Sequence, residues 1–289
     1  DDWIWHDDKP WAIGEFVWTG FDYLGEPTPF NSDNTNLLNF RTDPSKRAEL
    51  EKQLAELART QPPSRSSYFG IVDLAGFPKD RYYLYQSHWR LDYPMAHILP
   101  HWNWAGREGQ IIPVHVYTSG TEAELFVNGK SYGRKAKEEG KDFRLVWDSV
   151  VYQPGSVKVI AYKDGKEWAK DEIQTTGEAK KIQLSVDHAS IIGSEDELAF
   201  VTATIVDTSG RKVPTACLPL KVEVTGCGEL VATDNGDPTS FTPFQSAERE
   251  SFNGLALAIV RGKKGTTGKM QVQVSGAGLE SASIEIEVK

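Results

Sequence analysis

The stretch Glu122-Ala-Glu-Leu-Phe-Val127, followed at once by Asn128-Gly129, limits the fold more than any other part of the chain. Polar and apolar residues trade places up to an Asn-Gly pair, the dipeptide that supplies the two consecutive positive φ angles of a type I′ turn. Lys158 to Tyr162, ending in Lys163-Asp164-Gly165-Lys166, repeats the device. From Ile98 onward short alternating runs are separated by turn signals every 8–12 residues, which predicts a β-sandwich. Residues 92–177 read as one immunoglobulin-like unit of about seven strands. A short link near Gly177-Glu178-Ala179 opens a second unit, 178–289, with strands expected at 182–186, 198–206, 220–224, 255–260, 270–274 and 284–288. The polar stretch Thr233 to Asn253 reads as an ordered loop pinned by Phe241, Phe244 and Phe252.

Residues 1–91 have a different texture. Ile13 to Trp18 is an apolar and aromatic run bounded by Gly20 and a Gly/Pro-rich segment, the pattern of a strand buried on both faces that ends in a loop. Asp43, Pro44 and the stripe Leu50, Leu54 and Leu57 predict an amphipathic helix over 43–59, either a surface insertion or a lid. A second helix is expected from Lys79-Asp80 through Trp89. The first ninety residues thus read as one βα unit with a helical insertion, too little for a domain with its own sheet.

The formal net charge of −9 argues against nucleic acid or an anionic membrane as partner, and no apolar run approaches the roughly 20 residues of a membrane span. Six histidines and two cysteines show no ligand spacing, so no metal site and no cofactor are expected, and Cys217 and Cys227 read as free thiols. Gly262 to Gly268 has no Ser or Thr after Lys269 and lies between strands rather than opening a helix, so it does not read as a phosphate loop. Asp234-Asn-Gly-Asp237 lacks the spacing of a calcium loop and reads as a turn. The chain opens without a signal peptide, as a stretch from inside something longer would.

Candidate site residues come from the aromatic stock of nine Trp, ten Tyr and twelve Phe and from carboxylates near the first strand. Trp18 is either core or a flat apolar face for sugar C–H groups, and Asp22 just beyond it could accept hydroxyl hydrogen bonds. Trp102 and Trp104 are either a second sugar platform or sandwich core. Glu15 is the tempting catalyst, but a retaining glycosidase needs two carboxyls about 5–5.5 Å apart. Nothing in the spacing of Glu15, Asp22 and Glu26 makes that pair.

Two long motifs carry a resemblance. Gly14-Glu-Phe-Val-Trp-Thr-Gly-Phe-Asp-Tyr-Leu-Gly-Glu-Pro-Thr-Pro29 and Ser66-Ser-Tyr-Phe-Gly-Ile-Val-Asp-Leu-Ala-Gly-Phe-Pro-Lys-Asp-Arg-Tyr-Tyr-Leu-Tyr-Gln-Ser-His-Trp89 resemble the end of a glycoside hydrolase family 2 barrel, as in β-galactosidases of Bacteroides-type gut bacteria. Leu125 to Ser131 and Phe252 to Val260 resemble the two immunoglobulin-like domains that follow that barrel. The resemblance implies a mainly β chain in which two immunoglobulin-like β-sandwiches follow the last βα portion of a (β/α)8 barrel. It implies that the acid/base and nucleophile glutamates lie upstream, so this chain holds no catalytic residue and is inactive alone, and that Glu15 is structural. Trp18 and Asp22 match substrate-binding positions. The implied partners are a β-galactoside or related glycan and the rest of the barrel, with a homo-oligomer as a further option. The implied location is bacterial, periplasmic or at the cell surface. The competing reading is a non-catalytic carbohydrate-binding or spacer module.

Overall fold

The computed structural model describes residues 3, 7, 9–27, 64–138, 140–194 and 196–289. The helix expected over 43–59 lies outside the described residues. Within them the chain is mainly β, with one helix, α1 (Asp80–Trp89), and two β-sandwiches.

The first sandwich uses β1 (Ala96–Leu99), β2 (Val114–Thr118), β3 (Glu122–Val127), β4 (Lys130–Ala136), β5 (Leu145–Trp147), β6 (Ser156–Lys163) and β7 (Lys166–Gln174). They form a three-stranded sheet, β1-β2-β5, facing a four-stranded one, β4-β3-β6-β7. Burial alternates residue by residue along β3 and β6, so Ala123, Leu125, Val157 and Val159 all point into one core. Asn128-Gly129 and Asp164-Gly165 make the two tight turns with all four φ angles positive, as the type I′ geometry demands. Trp102 belongs to this core. It is 1% exposed, meets Tyr152 edge-on at 5.1 Å and donates its indole N–H to the Gln153 carbonyl at 3.0 Å. A ring so enclosed offers no face to a sugar.

The second sandwich uses β8 (Lys181–Val186), β9 (Ser190–Ile191), β10 (Leu198–Val206), β11 (Pro219–Gly226), β12 (Gly228–Asp234), β13 (Glu248–Glu250), β14 (Leu255–Gly262), β15 (Gly268–Gly276) and β16 (Ala282–Val288). Sheet β12-β14-β10-β8 packs on β13-β11-β15-β16-β9, around Val201, Ile205, Val260, Met270, Val272 and Ile286. The strand pairings in the two sandwiches are antiparallel except that of β9 with β16, and an isolated parallel bridge joins Lys181 of β8 to Glu280. Cys217 and Cys227 are free thiols.

The Thr233–Asn253 stretch differs from expectation. Phe241 is exposed, and the stretch is organised by Arg249, which is only 2% exposed at the centre of β13. Its Nε donates to Thr233 Oγ1, Nη1 to Thr242 O and Ser240 Oγ, and Nη2 to Thr233 O and Pro243 O, all within 2.8–3.3 Å. A guanidinium satisfies several loop carbonyls at once, which no phenyl ring can do.

Ile13 to Trp18 is a correction. Residues 12–17 form neither strand nor helix, and Ile13 and Phe16 are fully exposed, at 106% and 104%. A strand buried on both faces takes its hydrogen bonds from flanking strands. The stretch that lies alongside this segment in the described residues, 66–72, reaches it between Thr19 and Leu24. There Ile71 N donates to Thr19 O, Val72 N to Gly20 O and Asp22 N to Val72 O.

The N-terminal part and the sandwiches touch at defined points. His97 on β1 bonds Asp80 at 2.8 Å and stacks on Tyr83 of α1, centroids 3.9 Å apart. Trp3 stacks on His88 of α1 and meets Phe143 edge-on. At the end of the first sandwich the Asn103 amide exchanges two hydrogen bonds with Thr176, and between the sandwiches Gly177 N donates to Asp207 Oδ2 at 3.0 Å.

Replacing Arg249 with Met keeps the volume but strands several buried acceptors, each worth about 1–3 kcal/mol. A loss of roughly 3 kcal/mol or more in urea unfolding of the second sandwich is expected, with only partial recovery in Arg249→Lys, which lacks the fork.

Candidate functional site

The site is built where Gly20–Leu24 lies beside Ser66–Val72. Trp18 stands at its mouth, 72% exposed, joined to Thr19 by a cis peptide bond. Its indole N–H donates to the Tyr23 hydroxyl at 3.2 Å, and that hydroxyl donates to the Glu26 carboxylate. Tyr23 is fixed in turn. Its N–H donates to Ser67 Oγ, its carbonyl accepts from Ser67 N, and its ring meets Phe69 edge-on at 5.8 Å. An exposed indole held by its polar edge presents a flat apolar face in a fixed orientation.

Asp22 points the other way. It is 3% exposed, and its carboxylate accepts from Gly70 N at 2.7 Å, Ser67 Oγ at 3.4 Å and Lys79 Nζ at 2.7 Å. Lys79 also donates to Tyr68 O at 2.9 Å and sits over the Tyr68 ring, 4.1 Å from its centre. A side chain on Gly70 would put its Cβ 2.4 Å from Asp22 N, so this approach requires glycine. Burial pulls the Lys79 ammonium below its ordinary value while the Asp22 carboxylate pulls it back up. Burial, reinforced by Asp22 and Asp73, pushes the Tyr68 phenol up to about 12.

The second sandwich closes this site from behind. Arg65 N donates to Pro238 O at 2.8 Å, and the Arg65 guanidinium lies 4.6 Å from the centre of the Phe244 ring. Asp73 is 7% exposed and accepts from Phe77 N at 2.8 Å. Its other oxygen faces Gly236, where a Cβ would come within 2.2 Å of it. Burial pushes the Asp73 carboxyl up to about 7, opposed by the amides of Phe77 and Ala75 and assisted by Asp234. A carboxyl poised near neutrality is a property of general acids, yet Asp73 faces protein, on the contact between the two parts of the chain.

The structure therefore places the two site residues of the sequence reading on adjoining sides of one loop, Trp18 outward and Asp22 inward. Glu15 is exposed and lies within electrostatic reach of His88 on α1. Sequence reasoning missed the Tyr68, Asp73 and Lys79 cluster, although all three sit inside the second of the two long motifs. It read Asp234 to Asp237 as a turn without seeing what the turn packs on. Among the described residues no group of three or more His, Cys, Asp or Glu side chains is placed to hold a metal ion.

Comparison with known proteins bears on this arrangement. Residues 182–285 match the family described as glycoside hydrolase family 2 C-terminal domain 5, and residues 109–169 match a domain of unknown function, DUF4982. The chain is 38% identical to Beta-galactosidase BoGH2A of Bacteroides ovatus over 98% of its own length and 29% of that protein's. It is 32% identical to a putative beta-glucuronidase of Formosa agariphila, over 88% of this chain and 22% of that one. Among solved structures, a glycosyl hydrolase family 2 member from Bacteroides cellulosilyticus superposes with a TM-score of 0.79 at 28% identity, over 96% of this chain and 36% of that one. A beta-glycosidase from Bacteroides vulgatus gives 0.74 at 36% identity, over 78% and 28%. The chain spans less than a third of the length of these two curated relatives.

The Asp73 carboxyl gives a pH dependence with a definite sign. Its ordinary value is 3.8 and its folded value about 7, so the folded state holds the proton more tightly. Stability from this group is fully present below about pH 4 and is lost as pH rises toward 7, levelling off above. Asp73→Asn keeps an acceptor for Phe77 N–H and removes the titration. Its urea midpoint is expected to vary less between pH 5 and pH 8, with a gain on the order of 2 kcal/mol at pH 8.

Proposed function

Because this chain is the C-terminal region of a glycoside hydrolase family 2 protein, we propose that it completes the sugar site of a retaining β-galactosidase-like enzyme whose catalytic carboxylates it does not itself carry. The observation that carries this reading is Trp18: an exposed indole, fixed through Tyr23 and Glu26, on a loop anchored from beneath by Asp22 and Lys79. The identity to a protein named a β-galactosidase, along nearly the whole chain, supports galactoside as the substrate class.

In a retaining mechanism one carboxylate attacks the anomeric carbon and a carboxylic acid protonates the departing oxygen; water then releases the glycosyl-enzyme. In this reading residues 1–91 are the last βα portion of the barrel, and 92–177 and 178–289 are immunoglobulin-like domains bracing it. Trp18 forms a wall of the subsite for the sugar to be released. Asp22 serves that subsite by holding the Trp18 loop to Gly70 and Lys79. The exposed Ile13, Phe16 and Phe21 are the surface that the rest of the barrel covers. The longer protein is periplasmic or at the cell surface of its bacterium.

Two measurements test this. The purified chain is expected to hydrolyse a chromogenic β-galactoside no faster than buffer; turnover that disappears in Glu15→Gln overturns the reading. In the longer protein, Trp18→Ala uncovers roughly 60 Å² of sugar-contacting apolar surface, worth about 1.5 kcal/mol, so kcat/KM is expected to fall about tenfold. An unchanged value removes Trp18 from the subsite.

A further inference from the structure

A second cleft, of 480 Å³, lies away from Trp18, where the start of α1, the first sandwich and the 207–214 turn of the second sandwich converge. Its size falls within the range of small-molecule sites, and such sites favour junctions between domains. Its charged side chains divide into two groups. The acidic ones are already engaged: Asp80 bonds His97 Nε2 at 2.8 Å, and Glu172 accepts from the Gln174 amide at 2.9 Å. The donors are not. Lys212 has no ion-pair or hydrogen-bond partner among the described residues; burial pulls its ammonium below the ordinary value, and Asp80, at longer range, pulls it back up.

The chemistry of two neutral donors is fixed by their surroundings. His101 Nδ1 accepts from Asn103 N–H at 3.2 Å, so the proton of the neutral ring sits on Nε2, which is left as a donor. Burial pulls the His101 pKa down, opposed by the Asp80 carboxylate and assisted by nearby Lys212. Thr176 Oγ1 accepts from the Asn103 amide at 2.6 Å, which directs its own hydroxyl hydrogen elsewhere. Asn103 thus sets both groups as donors, and both line the same cleft as Lys212.

We propose that this cleft binds a small oxyanion (a carboxylate or phosphate group), with Lys212 supplying the charge and His101 and Thr176 the neutral hydrogen bonds. A planar or tetrahedral oxyanion accepts several hydrogen bonds at once, and a cation that has no protein partner gains most from one. The group could be free inorganic anion or the acid group of a sugar. The inference stands apart from the glycosidase reading, since it uses no residue of the Trp18 loop.

The test uses the full chain, titrated with sodium phosphate and separately with sodium glucuronate at constant ionic strength, so that screening does not vary. Amide resonances are followed by nuclear magnetic resonance. Saturable shifts at Asn103 and Thr176 are expected, weakened about tenfold or more in Lys212→Gln. His101→Phe keeps the stack on Trp104 and is expected to weaken binding while the rest of the spectrum stays in place. Lys166→Gln, at the far end of β7, roughly 20 Å along the strand at 3.3 Å per residue, is expected to bind like the unaltered chain. Tighter binding of glucuronate assigns the site to a sugar acid, and equal or tighter binding of phosphate assigns it to the free anion. No saturation by either probe up to roughly 50 mM, or equal affinity in Lys212→Gln and the unaltered chain, overturns the proposal.

Discussion

The ammonium of Lys79 ties together three stretches of chain that share no sheet. It joins the Asp22 carboxylate, the Tyr68 carbonyl and the face of the Tyr68 ring, one residue before α1 begins. Removing it would leave Asp22, almost wholly buried, with a charge compensated by one amide and a long hydroxyl contact. An uncompensated buried charge is among the costliest defects a protein can carry. The orientation of Trp18 depends on this pair at one remove, because the Trp18–Tyr23–Glu26 chain of hydrogen bonds is laid out on the backbone that Asp22 holds down. The start of α1, and with it the Asp80–His97 contact to the first sandwich, depends on the same ion pair.

The second sandwich enters through backbone and glycine. Gly236 brings a loop against Asp73 at a distance no other residue permits, and Arg249 makes that loop rigid from inside. The loop is thereby a structural part of the site although it lies some 160 residues beyond Asp73 in the chain. Arg65 and Arg249 both donate to the Thr242 carbonyl, one from each side of the contact. Among the described residues, the Arg65 N–H to the Pro238 carbonyl and the Arg65 guanidinium to the Thr242 carbonyl tie the N-terminal part to the second sandwich through backbone.

What could be read from the sequence followed the range of the forces involved. Asn128-Gly129 and Asp164-Gly165 announce their turns because positive φ is a local, steric matter, and the strands around them alternate as a half-buried pleat must. Cys217 and Cys227 were rightly read as thiols. β13 could not be seen: Glu-Arg-Glu has no apolar periodicity, and its inward residue is a guanidinium whose partners lie 6 to 16 positions away. The Asn253-Gly254 turn, with φ angles of 52° and 77°, was hidden inside a stretch taken as one loop. Trp102 was ambiguous because an indole suits a core and a sugar platform equally until its neighbours are known. Ile13 to Trp18 was misread for a related reason: an apolar run states that something packs on both faces but not which stretch of polypeptide does so. At Asp22 the residue type suggested hydroxyl contacts, and only the fold reveals that Lys79, 57 positions later, occupies the carboxylate.

The parallel pairing of β9 with β16 bears on how such a chain emerges during synthesis. Ser190 and Ile191 find their partners at Glu287 and Val288. The first sandwich has all seven of its strands once Gln174 is made, and its neighbours are mostly consecutive in sequence. The five-stranded sheet of the second sandwich is different, since β16 fits between β15 and β9 and not at an edge. Nearly a hundred residues must leave the ribosome before β9 can be covered. Until then the flank of β9 is open to any other unpaired strand nearby, so of the two sandwiches the second has the longer exposure to misassembly on the ribosome.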